Sequence, residues 1–169
     1  MADFARRFAS TKQDWVTPDS LFRRLDARFH FTIDLAADSS NAKCARFFDR
    51  QADALRQDWS GHTGWLNPPY GDTKGNRLAD WVRKAYDETR LAGLHNKAPC
   101  TAVLLIPART NTNWFHDYCM NAQELMLVCG RPRFVGADHG LPQPLALVVF
   151  ASRHLSLPPQ PVRLSSFVI

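Results

Sequence analysis

Apolar positions along this 169-residue chain follow two spacings, one typical of helices and the other of strands. Helical spacing predicts helices over residues 18–27, 41–48, 78–91 and 113–120. Short continuous or alternating apolar runs predict strands over residues 29–37, 64–66, 101–106, 125–129 and 145–151. Strands that alternate with helices indicate an α/β fold with a mostly parallel sheet. A long loop joins the last two strands, so we expect an antiparallel strand at one edge of the sheet.

Length and composition are those of an ordinary folded protein. We expect residues 1–169 to form a single domain with a proline-rich C-terminal tail over about 155–169. No apolar run reaches the length of a membrane span, and the first ten residues lack the apolar stretch of a signal peptide. Four cysteines without a CxxC pair and six scattered histidines predict no metal site. The formal net charge of +5 is compatible with a nucleic-acid partner.

Three predicted strands end in residues that suit a binding site. These ends are DLAA at 34–37, NPPY at 67–70 and PART at 107–110. In an open α/β sheet, ligands bind at the carboxyl ends of the strands. The candidate site is therefore expected at this edge of the sheet.

The most specific of these segments is Asn67-Pro68-Pro69-Tyr70, which matches the pattern of methyltransferases that act on amino groups. An aryl amine is a poor nucleophile because its lone pair is delocalised into the ring. If the Asn67 side-chain oxygen and the Pro68 carbonyl each accept a hydrogen bond from the amine, its nitrogen is drawn toward tetrahedral geometry. The prolines fix the backbone for this contact, and Tyr70 is expected to stack on a base extruded from the duplex. The alternative is a polar turn without catalytic function.

Further segments extend the similarity over about residues 15–150. They are WVTP at 15–18, DLAA at 34–37, WLNPPY at 65–70, PART at 107–110 with WF at 114–115, and GRPRF at 130–134. In this combination the chain resembles the small phage-type DNA adenine methyltransferases, in the Rossmann-like class I superfamily. The resemblance implies a class I fold of reduced size, S-adenosylmethionine as cofactor, double-stranded DNA as partner and the 6-amino group of adenine as acceptor.

A cofactor site is also implied by the resemblance. It comprises Trp15, Thr17, Pro18, Asp34, Ala36 and either Asp53 or Asp58. Thr17 and Pro18 would contact the methionine end, and Asp34 would lie where the first strand meets the cofactor. Asp34 as a helix cap and Trp15 as a core residue are the alternatives. The glycine-rich turn usual after the first strand is replaced by Ala36-Ala37-Asp38.

For the DNA, the resemblance implies contacts from the loop that holds Arg131, Arg133 and Phe134, with Phe134 stacking on the flipped base. Arg109 follows a strand end and is a candidate for a phosphate contact. Other acceptors stay open, namely the 4-amino group of cytosine, RNA and a protein glutamine, as does a decayed DNA-binding module without turnover. A phage origin, the host cytoplasm and a role against restriction follow from the resemblance alone.

Overall fold

A computed structural model of the chain describes residues 15–71, 77–94, 97–132, 134, 143–152 and 163–168. The strands in these ranges are β1 (Ile33–Asp34), β2 (Thr63–Leu66), β3 (Thr101–Pro107), β4 (Glu124–Cys129), β5 (Leu145–Ala151) and β6 (Arg163–Val168). The helices are α1 (Asp19–Phe29), α2 (Leu78–Leu94) and α3 (Asn113–Asp117), with 3₁₀ turns at Ala54–Arg56 and Cys119–Asn121.

All six strands belong to one sheet, in the order β1-β2-β3-β5-β4-β6. β1, β2 and β3 are mutually parallel, β5 is antiparallel to both of its neighbours, and β6 is parallel to β4. The expected mostly parallel α/β sheet is confirmed. The antiparallel strand, however, lies inside the sheet and not at an edge, because β4 and β6 extend the sheet beyond it. The carboxyl ends of β1, β2 and β3 meet at the same edge.

The C-terminal segment was expected to be a surface tail, and this is wrong for residues 163–168, which form β6. Side-chain contacts hold β6 against α1. Arg24 donates a hydrogen bond to the carbonyl of Val168 at 2.8 Å, and its guanidinium lies 4.8 Å from the ring centre of Phe167. Residues 153–162 and 169 lie outside the described ranges. The sequence of β6 contains neither a continuous apolar run nor a strict alternation, since Arg163, Ser165 and Ser166 interrupt its apolar residues.

Both faces of the sheet are covered. Alternate residues of β3 belong to two separate apolar clusters, Ala102, Leu104 and Ile106 to one and Val103 and Leu105 to the other. The first cluster contains the buried side of α2 and Phe115 of α3, and the second contains the buried side of α1. Burial on both faces explains the uninterrupted apolar sequence of β3. None of the helices in the described ranges has the length and apolar character needed to cross a bilayer.

Helices α1 and α2 confirm two sequence predictions, but the predicted helix over residues 41–48 is wrong. Asp34 organises this segment instead. Its carboxylate accepts a hydrogen bond from the amide of Lys43 at 3.0 Å, and its backbone carbonyl accepts one from the amide of Phe48 at 2.9 Å. Phe47 forms a parallel bridge with Asp34. The predicted strand over residues 29–37 is also shorter than expected, because α1 continues to Phe29 and only Ile33–Asp34 form β1.

Gly64 allows β1 and β2 to pack closely. It pairs with Ile33 across the two strands. A Cβ atom at Gly64 would lie 2.4 Å from the Cδ1 atom of Leu35, which is buried. The absence of a side chain here therefore lets the ends of β1 and β2 lie side by side, and these ends carry Asp34 and Asn67.

Candidate active site

Three hydrogen bonds fix the side-chain amide of Asn67, the first residue after β2. Its nitrogen donates to the carbonyl of Trp15 at 2.5 Å and to the hydroxyl of Thr17 at 3.1 Å. Its oxygen accepts from the hydroxyl of Tyr70 at 2.9 Å. The carbonyl of Trp15 can only accept, so the amide nitrogen must face it and the oxygen must face Tyr70. An amide oxygen has two lone pairs, which leaves Asn67 able to accept one further hydrogen bond.

Tyr70 is placed differently from the sequence expectation. Its ring is 5% exposed and lies in the apolar cluster on the α1 face. Its hydroxyl lies 2.9 Å from the Asn67 oxygen and 3.2 Å from the carbonyl oxygen of Leu105. Burial raises the pKa of Tyr70 well above its usual value, so the hydroxyl stays protonated and remains a donor. In this arrangement the hydroxyl positions Asn67, and the ring presents little surface for stacking on a base.

The backbone between these two residues is rigid and partly enclosed. Pro68 is buried and Pro69 is half-buried. Arg109, which follows β3, donates a hydrogen bond to the carbonyl of Tyr70 at 3.1 Å. Two prolines with fixed φ and a guanidinium at the end of the segment therefore hold the NPPY backbone in one conformation.

Beside Asn67 lies a cleft of about 930 Å³ at the carboxyl ends of β1 and β2. Its volume is in the range of small-molecule and cofactor sites. Its lining residues come from the first 81 residues of the chain: Trp15, Val16, Thr17, Asp34, Ala36, Ala37, Asp38, Asn41, Lys43, Phe48, Asp49, Arg50, Gln51, Asp53, Ala54, Trp65, Asn67, Pro69 and Trp81. Four carboxyl groups against one lysine and one arginine give this lining an acidic balance.

The cleft has two ends, which belong to opposite faces of the sheet. One end is lined by Trp15, Thr17 and Lys43. Trp15 and Cys44, the residue after Lys43, pack against the apolar cluster on the α1 face. We call this the α1 end. At the other are Phe48, Asp53, Ala54 and Trp81, of which Phe48, Ala54 and Trp81 belong to the cluster on the α2 face. We call this the α2 end. Asn67 is hydrogen-bonded to the α1 end.

Five of the seven residues predicted for the cofactor line this cleft. They are Trp15, Thr17, Asp34, Ala36 and Asp53. Pro18 and Asp58 lie outside the lining. Asp58 instead forms an ion pair with Lys97 at 2.8 Å on the surface, and its hydrogen bond with Lys97 lowers its pKa. The sequence could not decide whether Asp53 or Asp58 belongs to the cofactor site, and only Asp53 lines the cleft.

Asp34 and Asp53 reach the cleft by unusual local geometry. The carboxyl of Asp34 is 3% exposed and accepts hydrogen bonds from the amides of Ala36 at 3.2 Å and Lys43 at 3.0 Å. Burial raises its pKa. No helix follows Asp34 within residues 35–53, so the helix-capping alternative is wrong. Asp53 has a left-handed backbone, with φ of 50°, and its carboxylate pairs with Arg56 at 3.2 Å.

The residues predicted for DNA contact are spread over different environments. Arg131 is exposed, whereas Arg109 is half-buried beside Tyr70. Phe134 is 2% exposed and packs against Trp15, with 5.9 Å between the ring centres. Its ring therefore supports the α1 end of the cleft and offers almost no free face in this conformation. Arg133 lies outside the described residues.

Sequence reasoning missed much of the cleft wall, above all Lys43 and residues 48–51. The incorrectly predicted helix over residues 41–48 hid Lys43 and Phe48. The run Asp49-Arg50-Gln51-Ala52-Asp53 is polar and has no helical apolar period, and this was the available signal for a site loop. Within the described ranges there is no group of three or more histidine, cysteine, aspartate or glutamate side chains that could hold a metal ion.

Comparison with known proteins identifies relatives of this chain. The family model for DNA N-6-adenine-methyltransferase (Dam) matches residues 6–146. A DNA N-6-adenine-methyltransferase of Haemophilus phage HP1 (strain HP1c1) is 31% identical over 134 residues, which are 78% of this chain and 71% of that protein. One of Escherichia phage T1 is 29% identical over 116 residues, which are 68% of this chain but 44% of that protein. The resemblance noted in the sequence is confirmed, and the chain belongs to the family of DNA N-6-adenine-methyltransferases (Dam).

Proposed function

We propose that this protein transfers a methyl group from S-adenosylmethionine to the 6-amino group of adenine in double-stranded DNA. Family membership supports the reaction. The observation that carries the proposal is the amide of Asn67, fixed by hydrogen bonds to Trp15, Thr17 and Tyr70 beside a cofactor-sized cleft. Such an amide can hold an aryl amine in one orientation, which a mobile polar turn cannot do.

The chemistry of the cleft fits S-adenosylmethionine, which carries one net positive charge. Four carboxyl groups from Asp34, Asp38, Asp49 and Asp53 line the cleft and favour a cation. At the α2 end, Trp81 is largely buried, and its indole N–H is the only buried side-chain polar group of the described residues without a hydrogen-bond partner. An adenosine group is rich in acceptors and would suit this end.

We assign the adenosine to the α2 end, with Asp53 as the acceptor for its ribose hydroxyls. The methionine end then lies at the α1 end, beside Trp15 and Thr17, where Asn67 is held. Asp34 contributes negative charge between the two ends. Pro18 and Asp58 are left out of this assignment because they lie outside the cleft lining.

When bound, S-adenosylmethionine supplies an electrophilic methyl group on a positively charged sulfur. The protein's own task is to hold the acceptor amine. The free lone pair of the Asn67 oxygen and the carbonyl of Pro68 accept the two amine hydrogens, which favours a lone pair on the nitrogen. Asn67 is an amide and takes up no proton, so the proton released by the amine passes to solvent. Orientation of the reacting groups supplies much of the rate enhancement.

For DNA, the formal net charge of +5 provides general attraction to phosphate. Arg131 is exposed and suited to a phosphate contact. Arg109 donates one hydrogen bond to Tyr70 and has further N–H groups that can reach a phosphate next to the extruded base. Arg133 is proposed as a phosphate contact and Phe134 as a support for the site. Adenine must leave the helix to reach Asn67, and we place the reaction in the cytoplasm of the cell that holds the DNA.

The test is transfer of labelled methyl from S-adenosylmethionine to unmethylated duplex DNA, followed by nucleoside analysis of the product. Label on the 6-amino group of adenine is the expected result. Label on the 4-amino group of cytosine would be compatible with the role of Asn67 but would show that the acceptor base is cytosine and not adenine. Cofactor binding without transfer to DNA would contradict the proposed substrate, and RNA and protein would then be tested in the same assay.

A further inference from the structure

Lys43 occupies a position in the cleft that neither the sequence nor the family assignment explains. Its ammonium group forms an ion pair with Asp19 at 2.5 Å. The side chain of Lys43 is 13% exposed, whereas that of Asp19 is 73% exposed. The pair therefore joins a largely buried cation in the cleft to a carboxylate that faces solvent.

The position of Lys43 relative to Asn67 follows from a short chain of contacts. The backbone amide of Lys43 donates to Asp34 at 3.0 Å, at the end of β1. Its ammonium group reaches Asp19, which is two residues beyond Thr17 in the chain, and Thr17 accepts a hydrogen bond from Asn67. Lys43 is thus at the α1 end, next to the residues that hold the proposed acceptor amide.

The charges that line the cleft indicate a carboxylate as the partner of Lys43. The methionine part of S-adenosylmethionine carries a carboxylate as well as an ammonium group. A carboxylate placed among Asp34, Asp38, Asp49 and Asp53 would be repelled unless a cation faced it. The cations in the lining are Lys43 and Arg50. Of these two, Lys43 reaches Asp19, the first residue of α1, so Lys43 is the cation at the α1 end.

We propose that Lys43 binds the carboxylate of the methionine part of S-adenosylmethionine, and that Asp19 is its partner in the cofactor-free protein. This inference rests on the proposed function. The exchange of one carboxylate for another at Lys43 preserves the ion pair. Asp19 is exposed, so water can solvate its carboxylate when Lys43 turns to the cofactor, and the largely buried Lys43 exchanges one carboxylate partner for another.

Two ligands and a matched pair of variants test this assignment by calorimetric titration. S-Adenosylmethionine and its decarboxylated form share the sulfonium, the ammonium group and the adenosine, and differ in the carboxylate. We expect the wild-type protein to bind S-adenosylmethionine more tightly by roughly 10- to 100-fold, the range for a charge-assisted hydrogen bond. Lys43→Met should lose this preference or invert it, because the acidic lining favours the ligand of higher positive charge.

Asp19→Asn is the matched control, since it breaks the same ion pair but leaves the lysine. It should keep the preference for S-adenosylmethionine and bind it at least as tightly as the wild-type protein does, because a competing carboxylate is gone. Lys43→Arg should retain the preference. If the ion pair were merely structural, Lys43→Met and Asp19→Asn would lower the thermal stability and the affinity alike.

The possible outcomes separate this inference from the proposed function. A wild-type protein that binds neither ligand would overturn both. A wild-type protein that binds both ligands equally, or a Lys43→Met variant that binds and keeps the wild-type preference, would overturn the role of Lys43 alone. Should Lys43→Met fail to fold, Lys43→Gln in the same titration carries the test, with circular dichroism as the check of folding.

Discussion

The hydroxyl of Tyr70 provides a sharp test of how the site is built. It lies between the Asn67 oxygen and the Leu105 carbonyl, at 2.9 and 3.2 Å, in a region where the Tyr70 ring is 5% exposed. Tyr70→Phe removes this donor and retains the ring. If the hydroxyl orients Asn67, the variant should be slower in methyl transfer although every apolar contact of the ring remains.

The size of the effect follows from what each partner loses. Two acceptors share one proton, so the variant loses about one buried hydrogen bond, and the free energy of unfolding should fall by about 1–2 kcal/mol. The amide of Asn67 keeps its bonds to Trp15 and Thr17, so its orientation is loosened but not lost. We expect the single-turnover rate to fall by about tenfold, which corresponds to about 1.4 kcal/mol of barrier.

The assay is single-turnover methyl transfer at saturating cofactor and DNA, with chemical denaturation in parallel. Tyr86→Phe is the matched control: the Tyr86 hydroxyl accepts a long hydrogen bond of 3.4 Å from Arg90 on α2, away from the cleft lining. Its removal should change neither quantity. Because burial raises the pKa of Tyr70, the ratio of wild-type to Tyr70→Phe rates should stay constant between about pH 6 and 9.

A wild-type rate for Tyr70→Phe would refute this reasoning. If only Tyr70→Ala were slow, the ring and not the hydroxyl would be the functional part, as the sequence expectation of base stacking requires. Tyr70→Ala is the less direct variant, because emptying a buried aromatic site costs about 3–5 kcal/mol of stability whatever its role.

Three further predictions concern other parts of the site. Asn67→Ala should lower the single-turnover rate by about 10²- to 10³-fold, as loss of a hydrogen-bonding group at a reacting centre does elsewhere, while calorimetry shows that the cofactor product S-adenosylhomocysteine still binds. Asp53→Asn should weaken that binding by about tenfold or more, whereas Asp58→Asn should not; equal effects would contradict the assignment of Asp53 to the cleft. Gly64→Ala should lower the free energy of unfolding by about 1–3 kcal/mol, since its Cβ would meet Leu35 at 2.4 Å; an unchanged denaturation midpoint would contradict the close packing.

Much of the fold could be predicted where local signals and tertiary contacts agree. Helix α2 is buried on one side, which produces an apolar period of helical spacing, and β3 is buried on both faces, which produces a continuous apolar run. Both patterns therefore predict the correct element. The NPPY segment marked the end of β2 because two prolines cannot continue a central strand. The ends of the predicted strands also located the candidate site correctly, at the edge of the sheet where Asp34 and Asn67 lie.

The remaining features depend on contacts that are distant in sequence. Residues 41–48 could form a helix by spacing, but hydrogen bonds to Asp34 hold them as an irregular segment. Asp53 and Asp58 are equivalent in sequence, and only the left-handed turn at Asp53 and the ion pair of Asp58 with Lys97 separate them. The sequence predicts base stacking for Tyr70 and Phe134, but an aromatic residue in a site loop can equally well pack in the core. Only the burial of the two rings in the structure distinguishes these roles.

The most direct test of the central claim is nucleoside analysis of DNA from a bacterial host that lacks adenine methylation and produces this protein. Parallel cultures produce the wild-type chain and Asn67→Ala at matched protein levels. We predict N6-methyladenine in the DNA of the first culture and a strong reduction or absence of it in the second. Wild-type DNA without N6-methyladenine, or equal amounts in the two cultures, would contradict the claim that Asn67 presents adenine for methyl transfer.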